Sequence, residues 1–185
     1  MRVDDVSLTG RLLVALPALE DPNFERTVVL LLDHDDEGAL GVVLNRITEV
    51  PVDEALVEWA GLAAFPPFVF GGGPVEPTAV VALGRTPVHV VPEGWQPLLD
   101  RVRLVDVSDD AARVEVDEVR VFAGYAGWGP GQLEGEIEMG AWTTVAAEPD
   151  DVFTADPDGL WSRVLARQPG RLRLLATFPD DPSTN

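Results

Sequence analysis

The pattern with the clearest chemical potential in this chain is a glycine-rich stretch, residues 124–132, that follows the apolar run 119–123. The apolar run predicts a strand, and Pro130 suits the first turn of a following helix. Backbone N–H groups converge at such a strand–loop–helix junction, where they could bind an anion or a polar ligand. The alternative is a tight turn that packs Tyr125 and Trp128 against the core.

The charges that follow this stretch favour the structural alternative. Glu134, Glu136 and Glu138 crowd the start of the predicted helix and already complement its dipole, which disfavours a bound phosphate. If the stretch does bind a ligand, its candidate contacts are Gly124, Tyr125, Gly127, Trp128, Gly129 and Gln132.

Two further segments could contribute to the same surface. Three successive glycines before Pro74 indicate unusual dihedral angles or a close approach of another segment, which a bulge or crossover at a sheet corner explains without a ligand. Asn45 and Arg46 end an apolar run, where arginine could hold a carboxylate in a two-pronged contact or form an internal salt bridge. The predicted ligand-binding surface comprises Gly71–Val75, Asn45-Arg46 and Tyr125–Gln132, with Gly72, Gly73 and Pro74 among its contacts.

His34 lies between Asp33 and Asp35, a combination that could bind a divalent metal or supply a general base. The same segment, residues 33–38, has the composition of an acidic, solvated hairpin turn. Adjacent strand residues point to opposite faces, so Asp33 and His34 converge on a metal only where the strand has ended. The sequence therefore favours the turn and predicts no metal site here. His89, between two valines, is interpreted as a packed or surface strand residue.

Residue types that are absent exclude several classes of chemistry. The chain has no cysteine, which excludes disulfides, thiolate nucleophiles and cysteine-ligated metals. All 13 basic residues are arginine, which excludes a Walker A lysine and a Schiff-base lysine. The serines lack a Gly-x-Ser-x-Gly elbow, and no His-Glu-x-x-His is present. No cofactor is predicted, and enzymatic chemistry has no positive support.

Size and composition predict one globular domain. The chain has 185 residues and a mass of 19.9 kDa, which suits a single domain over residues 1–178 and a polar tail over residues 179–185. Apolar residues make up 46% of the sequence, too many for a disordered chain. No apolar run reaches the length of a transmembrane helix, and the N-terminus lacks a signal-peptide core. A cytoplasmic protein without a membrane partner is expected.

The predicted secondary structure contains more strands than helices. Regular strand–helix alternation is missing and several connections are short, which predicts an α+β fold with a largely antiparallel sheet. A further hairpin is expected from residues 104–107 and 113–116. Helices are predicted over residues 52–60, after Pro130 and from Asp156-Pro157. Strands are predicted at residues 11–16, 27–32, 39–44, 68–70, 75–83, 119–123 and 142–146.

Several sequence blocks resemble the YqgE/AlgH family in the family's order. They are residues 122–134 (FAGYAGWGPGQLE) with Gly140-Ala141-Trp142, residues 8–13 (LTGRLL) with Pro17, Asp21-Pro22 and Phe24, residues 28–31 with His34, Gly38-Ala39 and residues 41–46 (GVVLNR), and Gly72-Gly73-Pro74-Val75. Together they span residues 8 to 142. The resemblance implies a single α+β domain whose strands form a strongly curved, barrel-like sheet with flanking helices.

The same resemblance implies no established biochemical activity. One branch of the family is described as regulating exopolysaccharide production, which implies a regulatory role. The chain departs from the family at two places: Ile47 stands where proline usually follows Asn-Arg, and Leu83-Gly84 stands where Leu-His is frequent. Any role assigned to that histidine cannot operate here.

The sequence therefore favours a non-catalytic binding or regulatory protein that acts through protein partners or a small polar ligand. The first alternative is a metal-assisted hydrolase that uses His34 and nearby carboxylates. The second is a transcriptional regulator that binds DNA directly, for which a local patch among Arg163, Arg167, Arg171 and Arg173 would be needed.

We expect no measurable affinity for double-stranded DNA at physiological salt. The net charge of −19 opposes binding to the phosphate backbone, because DNA is held largely by basic side chains that neutralise phosphates. Fluorescence anisotropy of labelled duplexes across a salt titration measures this directly. Sequence-specific binding at micromolar concentration would contradict the expectation and promote the DNA-binding alternative.

Overall fold

Two apolar runs near the start of the chain pair as antiparallel strands at the centre of the fold. They are β1 (Arg11–Ala15) and β2 (Val28–Asp35), and in β1 every residue after Arg11 is buried. The computed structural model describes residues 6–88 and 97–179, which form one α+β domain. The prediction for His89 and most of the predicted polar tail lie outside these described residues.

The remaining elements follow the predicted order closely. The strands are β3 (Gly38–Val43), β4 (Ile47–Pro51), β5 (Phe68–Gly71), β6 (Val75–Arg85), β7 (Val102–Leu104), β8 (Glu118–Trp128) and β9 (Trp142–Ala146). The α-helices are α1 (Val52–Ala55), α2 (Gln132–Glu138), α3 (Pro149–Val152), α4 (Leu160–Ala166) and α5 (Arg171–Leu175), with 3₁₀ helices at Val57–Leu62 and Asp110–Glu115. Within the described residues, none of these helices has the length and apolar character that crossing a bilayer requires.

The sheet is mixed and open. Its strand path runs β4-β5-β8-β3-β2-β1-β9; off this path, β6 pairs with β8, and β7 pairs with β6. β5 runs parallel to β8, while the other pairings along this path are antiparallel. The predicted strongly curved, barrel-like sheet is not confirmed, because the path ends in β4 and β9, which do not pair with each other.

Both faces of the central strands are buried, which explains why the sheet forms a layer between helices. Leu12 and Leu13 alternate along β1 and belong to two different apolar clusters. The cluster around Leu12 includes Trp161 and its neighbours on α4. The cluster around Leu13 includes Leu133 of α2 and the indole of Trp142. A sheet that packs helices on both faces buries its apolar residues without closing on itself.

The predicted glycine-rich loop is not a loop over most of its length. Residues 118–128 form the single strand β8, so Gly124, Tyr125, Gly127 and Trp128 lie within the sheet. The end of β8 pairs with β3, which keeps the glycines in a regular ladder. Pro130 precedes α2 rather than occupying its first turn, because the helix begins at Gln132 after Gly131.

An irregularity at Gly124 interrupts the alternation of β8 side chains between the two faces of the sheet. Phe122 belongs to the cluster around Leu12, whereas Ala126, four residues later, belongs to the cluster on the opposite face. Strict alternation would place these two on the same face, so β8 contains a bulge between them. Gly124 has φ +75°, and the register with β6 shifts at the same place.

The two glycine-rich segments of the sequence pack against each other. A Cβ atom on Gly72 would lie 2.2 Å from the carbonyl oxygen of Gly124, and one on Gly124 would lie 2.5 Å from that of Gly73. Gly73 itself has φ +150°. This is the close approach of another segment that the sequence indicated for Gly71–Gly73, and the bulge itself lies in β8 at Gly124.

Three other local predictions are corrected. The helix predicted over residues 52–60 is a single α-turn followed by a 3₁₀ helix. The hairpin predicted from residues 104–107 and 113–116 is absent, because Asp109 caps a 3₁₀ helix by accepting from the N–H of Ala111. The acidic turn over residues 33–38 shortens to Asp36-Glu37, because β2 continues to Asp35 and pairs there with Gly38.

Replacing Gly124 with alanine is expected to lower the free energy of unfolding by about 1–3 kcal/mol, because the new Cβ meets a backbone carbonyl at a positive φ. Matched controls are Gly127→Ala and Gly129→Ala, whose Cβ atoms would lie 3.9 and 4.0 Å from their nearest neighbours. We expect each control to stay within about 0.5 kcal/mol of the parent. Thermal melts of the three variants measure this, and an unchanged Gly124→Ala would contradict the geometric role.

Candidate functional site

A cleft lies at the open end of the β2–β3 hairpin, where β2 begins and β3 ends, far from the Asp36-Glu37 turn that joins the two strands. Arg26 lies two residues before β2, and Asn45 and Arg46 follow β3, so the antiparallel pairing brings them together. We call this the arginine cleft. It has a volume of about 450 Å³ and is lined by Pro22, Glu25, Arg26, Asn45, Arg46, Asp158 and Trp161.

Asn45 is a buried positioning residue at the base of the arginine cleft. Its Oδ1 accepts from the N–H of Val28 at 3.0 Å, and its Nδ2 donates to the carbonyl of Arg26 at 2.9 Å. Arg26 adopts φ +54°, a left-handed conformation that residues with a side chain seldom take. The Asn45 amide therefore secures both the start of β2 and the unusual backbone of Arg26.

Arg26 forms one wall of the arginine cleft. Its guanidinium lies 4.0 Å from the centroid of the Trp161 ring and donates to the carbonyls of Phe178 and Pro179 at 3.1 and 3.5 Å. The Trp161 indole in turn donates to the carbonyl of Ala15 at 2.8 Å. A second, smaller cavity of about 120 Å³ shares this wall and lies against Phe178. Arg26 is thus fixed in place by stacking and by the C-terminal segment.

Arg46 is held by a backbone contact rather than by an ion pair. It donates to the backbone carbonyl of Glu25, and among the described residues no carboxylate lies within ion-pair distance of it. The internal salt bridge that the sequence offered for Arg46 is not formed among the described residues. Carboxylate partners are instead present for Arg85, Arg103, Arg113, Arg163 and Arg167.

The electrostatic environment of Arg46 combines desolvation with two nearby acids. Packing of the protein around the guanidinium lowers the pKa of Arg46 from its ordinary value, and the attraction of Glu25 and Asp158 partly offsets this. The residue as a whole is exposed at the rim, so it stays charged and accessible to a ligand. Planar N–H donors of this kind suit a carboxylate or another planar anion.

Of the residues predicted to form the ligand surface, only Asn45 and Arg46 line the arginine cleft. Gly72, Gly73 and Gly124 contact one another through backbone, although Gly71 does donate to the carbonyl of Arg46 at 2.7 Å. Pro74 is exposed next to these glycines. The glycine-rich segments therefore do not line the cleft, and their link to it is the hydrogen bond from Gly71 to the backbone of Arg46.

Trp128 and Gln132 are engaged around α2, whereas Tyr125 packs against the cluster around Leu12 on the opposite face of the sheet. Trp128 and Trp142 both donate their indole N–H to Oε2 of Glu136, at 3.0 and 2.9 Å. Gln132 donates to the other Glu136 oxygen at 3.0 Å and accepts from the N–H of Gly129 at 3.1 Å. Trp128 is only 6% exposed. The expected burial of Trp128 is confirmed, and these contacts are structural.

His34 has a partner at each ring nitrogen. The N–H of Leu8 donates to Nδ1 at 3.1 Å, which places the ring proton on Nε2, 2.7 Å from Oε1 of Glu134. Hydrogen bonds from its own backbone N–H and from His34 hold the pKa of Glu134 below its ordinary value. Among the described residues, no group of three potential metal ligands converges.

Sequence reasoning missed five residues of the arginine cleft: Pro22, Glu25, Arg26, Asp158 and Trp161. One signal was available for two of them. A hairpin of residues 27–32 and 39–44 places the residues before its first strand beside those after its second, so Glu25 and Arg26 could have been grouped with Arg46. Asp158, in the turn before α4, and Trp161, within α4, come more than 100 residues later, and no local pattern indicates that contact.

The comparisons with known proteins agree along nearly the whole chain. The model of the AlgH-like family matches residues 12–173. The chain belongs to the AlgH-like family. A UPF0301 protein of Streptomyces coelicolor is 53% identical over 97% of this chain and 96% of its own length, and one of Thermobifida fusca is 48% identical over 99% and 98%.

Solved structures support the same assignment. The crystal structure of a Corynebacterium diphtheriae protein superposes with a TM-score of 0.87 at 33% identity, covering 96% of this chain and 95% of that one. The solution structure of AlgH from Pseudomonas aeruginosa gives a TM-score of 0.68 at 29% identity, covering 98% and 99%. The AlgH-like fold is therefore shared along the chain, and the function must be argued from this protein's own residues.

Protein purified without an affinity tag is expected to carry no stoichiometric zinc, manganese or iron. The reason is that both nitrogens of His34 are already hydrogen-bonded, to Leu8 and to Glu134. Elemental analysis of the parent and of His34→Ala measures this. A stoichiometric metal that disappears in His34→Ala would reverse the expectation and favour the hydrolase alternative.

Proposed function

We propose that this AlgH-like protein is a non-catalytic binding or regulatory protein that holds a small polar ligand in the arginine cleft. The observation that carries the proposal is Arg46, whose guanidinium borders an open cleft without a carboxylate partner among the described residues. Five other described arginines have such a partner, and Arg46, unlike the buried Arg120, borders a cleft that a ligand can enter. A ligand with a carboxylate or similar anionic group would supply it.

The shape and construction of the cleft support a binding role. Its volume of about 450 Å³ is in the range of small-molecule sites. Trp161 and Arg26 give one stiff wall, and Asn45 fixes the backbone beneath it. Binding sites are most effective where their side chains are held in place before the ligand arrives.

The residues of the cleft give less support to catalysis. Its described lining contains no histidine, serine or tyrosine, so a nucleophile activated by a neighbouring base is missing there. His34 lies in a different depression, with Glu134 and Ser7. The hydrolase alternative therefore gains no specific observation.

DNA binding gains none either. The local basic patch it would need includes Arg163 and Arg167, which pair with Asp156 and Asp151. A paired arginine retains little positive potential for a phosphate. A protein partner is compatible with the proposal, because a ligand in the arginine cleft could alter the surface to which such a partner binds.

Arg46→Ala is expected to abolish ligand binding in the arginine cleft without unfolding the protein, because the side chain is exposed and makes one hydrogen bond. The probes are propanoate, inorganic phosphate and 3-aminopropanoate, titrated while the Trp161 indole and Arg46 Nε–H signals are followed by NMR. We expect saturable shifts for at least one probe, with a dissociation constant on the order of 1 mM.

The matched control is Arg173→Ala, which removes an exposed arginine that does not line the arginine cleft. It should leave the titration unchanged. If none of the three probes gives saturable shifts, or if Arg46→Ala binds as well as the parent, the proposed function is wrong.

A further inference from the structure

The charges that line the arginine cleft are mixed in sign. Arg26 and Arg46 contribute two guanidinium groups, and Glu25 and Asp158 contribute two carboxylates. Their formal charges cancel, in a protein whose net charge is −19. The described lining of the cleft therefore presents both signs of charge on an acidic molecule.

The two carboxylates are available for a ligand. Glu25 and Asp158 are exposed, and among the described residues neither lies within ion-pair distance of an arginine. Each is close enough to Arg46 to act on its pKa by Coulombic attraction. An unpaired cation and two unpaired anions thus face the same small volume.

Only one of the two arginines is open to a ligand. Arg26 is held over Trp161 and bonded to the carbonyls of Phe178 and Pro179, so it acts as a wall. One N–H group of Arg46 donates to the carbonyl of Glu25, and its other N–H groups are available to a ligand. The hydrogen-bond acceptors of a bound molecule would therefore face Arg46, and its donors would face Glu25 and Asp158.

We infer that the arginine cleft takes a small zwitterion, with its anionic group on Arg46 and its cationic group toward Glu25 and Asp158. The inference rests on the proposed function and names its ligand class. A simple anion would satisfy Arg46 but would meet both carboxylates and the acidic surface. A simple cation would leave Arg46 without a partner. A zwitterion satisfies both sets of groups and carries no net charge for the surface to repel.

The test compares molecules of similar size that differ only in charge. Glycine, 3-aminopropanoate and 4-aminobutanoate are zwitterions of increasing charge separation, and propanoate and propylamine each lack one of the two charges. Binding to the full chain is followed by the NMR signals of Trp161 and Arg46. We expect at least one zwitterion to bind about fivefold or more tightly than propanoate and propylamine, which is the contribution of one additional exposed ion pair.

Neutralising the carboxylates distinguishes this arrangement from a general anion site. In the double variant Glu25→Gln/Asp158→Asn, the preference for the zwitterion over propanoate should disappear while propanoate binding is kept or strengthened. The backbone carbonyl of Glu25 that holds Arg46 is unaffected by this change. The matched control is Glu138→Gln, an exposed carboxylate on α2 outside the cleft, which should preserve the preference.

The outcomes separate the ligand class from the proposed function. If propanoate or phosphate binds as tightly as every zwitterion and Arg46→Ala abolishes that binding, the cleft is a binding site and the zwitterion assignment is wrong. If no probe binds, the proposed function fails and the assignment fails with it. A zwitterion preference that survives in Glu25→Gln/Asp158→Asn would also overturn the assignment.

Discussion

The structure depends on one buried cation at its centre. Arg120, in the first half of β8, is only 1% exposed, and its guanidinium lies 4.2 Å from the centroid of the Phe70 ring. Burial lowers the pKa of Arg120 to about 10, which still leaves it charged at neutral pH. Without a carboxylate within ion-pair distance among the described residues, the charge is stabilised by carbonyl dipoles, which must all be held in place. The acceptors are the carbonyls of Ala64, Phe65, Pro66, Val152 and Thr154.

A second constraint on the structure is the pairing of β8, because the strand that contains Arg120 also pairs with three other strands of the sheet. Its first half pairs with β5 and β6, and its end pairs with β3, so the bulge at Gly124 joins two parts of the sheet that face different apolar clusters. The close approach of Gly72 to this bulge also lets its carbonyl accept from the N–H of Val43 at 2.8 Å. That bond anchors the end of β3 immediately before Asn45. The position of the arginine cleft thus depends on the glycines that do not line it.

The sequence predicted the strands well where apolar runs were continuous, as in β1 and β2, because burial on both faces leaves little room for another structure. It misjudged β8, since glycine spacing alone cannot distinguish a loop from an irregular strand whose neighbours need close approach. For the candidate site it found Asn45 and Arg46 from their place at a strand end. Trp161 was assigned only to the core, because its packing under Arg26 depends on contacts across the whole domain.

The arginine cleft lies where the fold tolerates local strain. The left-handed backbone of Arg26, in the turn before β2, costs on the order of 1 kcal/mol. The Asn45 side-chain amide accepts from the N–H of Val28, the first residue of β2, and donates to the carbonyl of Arg26. One side chain therefore holds both the start of β2 and the wall of the cleft. The strained residue and the cleft-facing Arg46 therefore lie next to the same buried amide. The fold therefore stabilises in advance the geometry that a ligand of Arg46 would need.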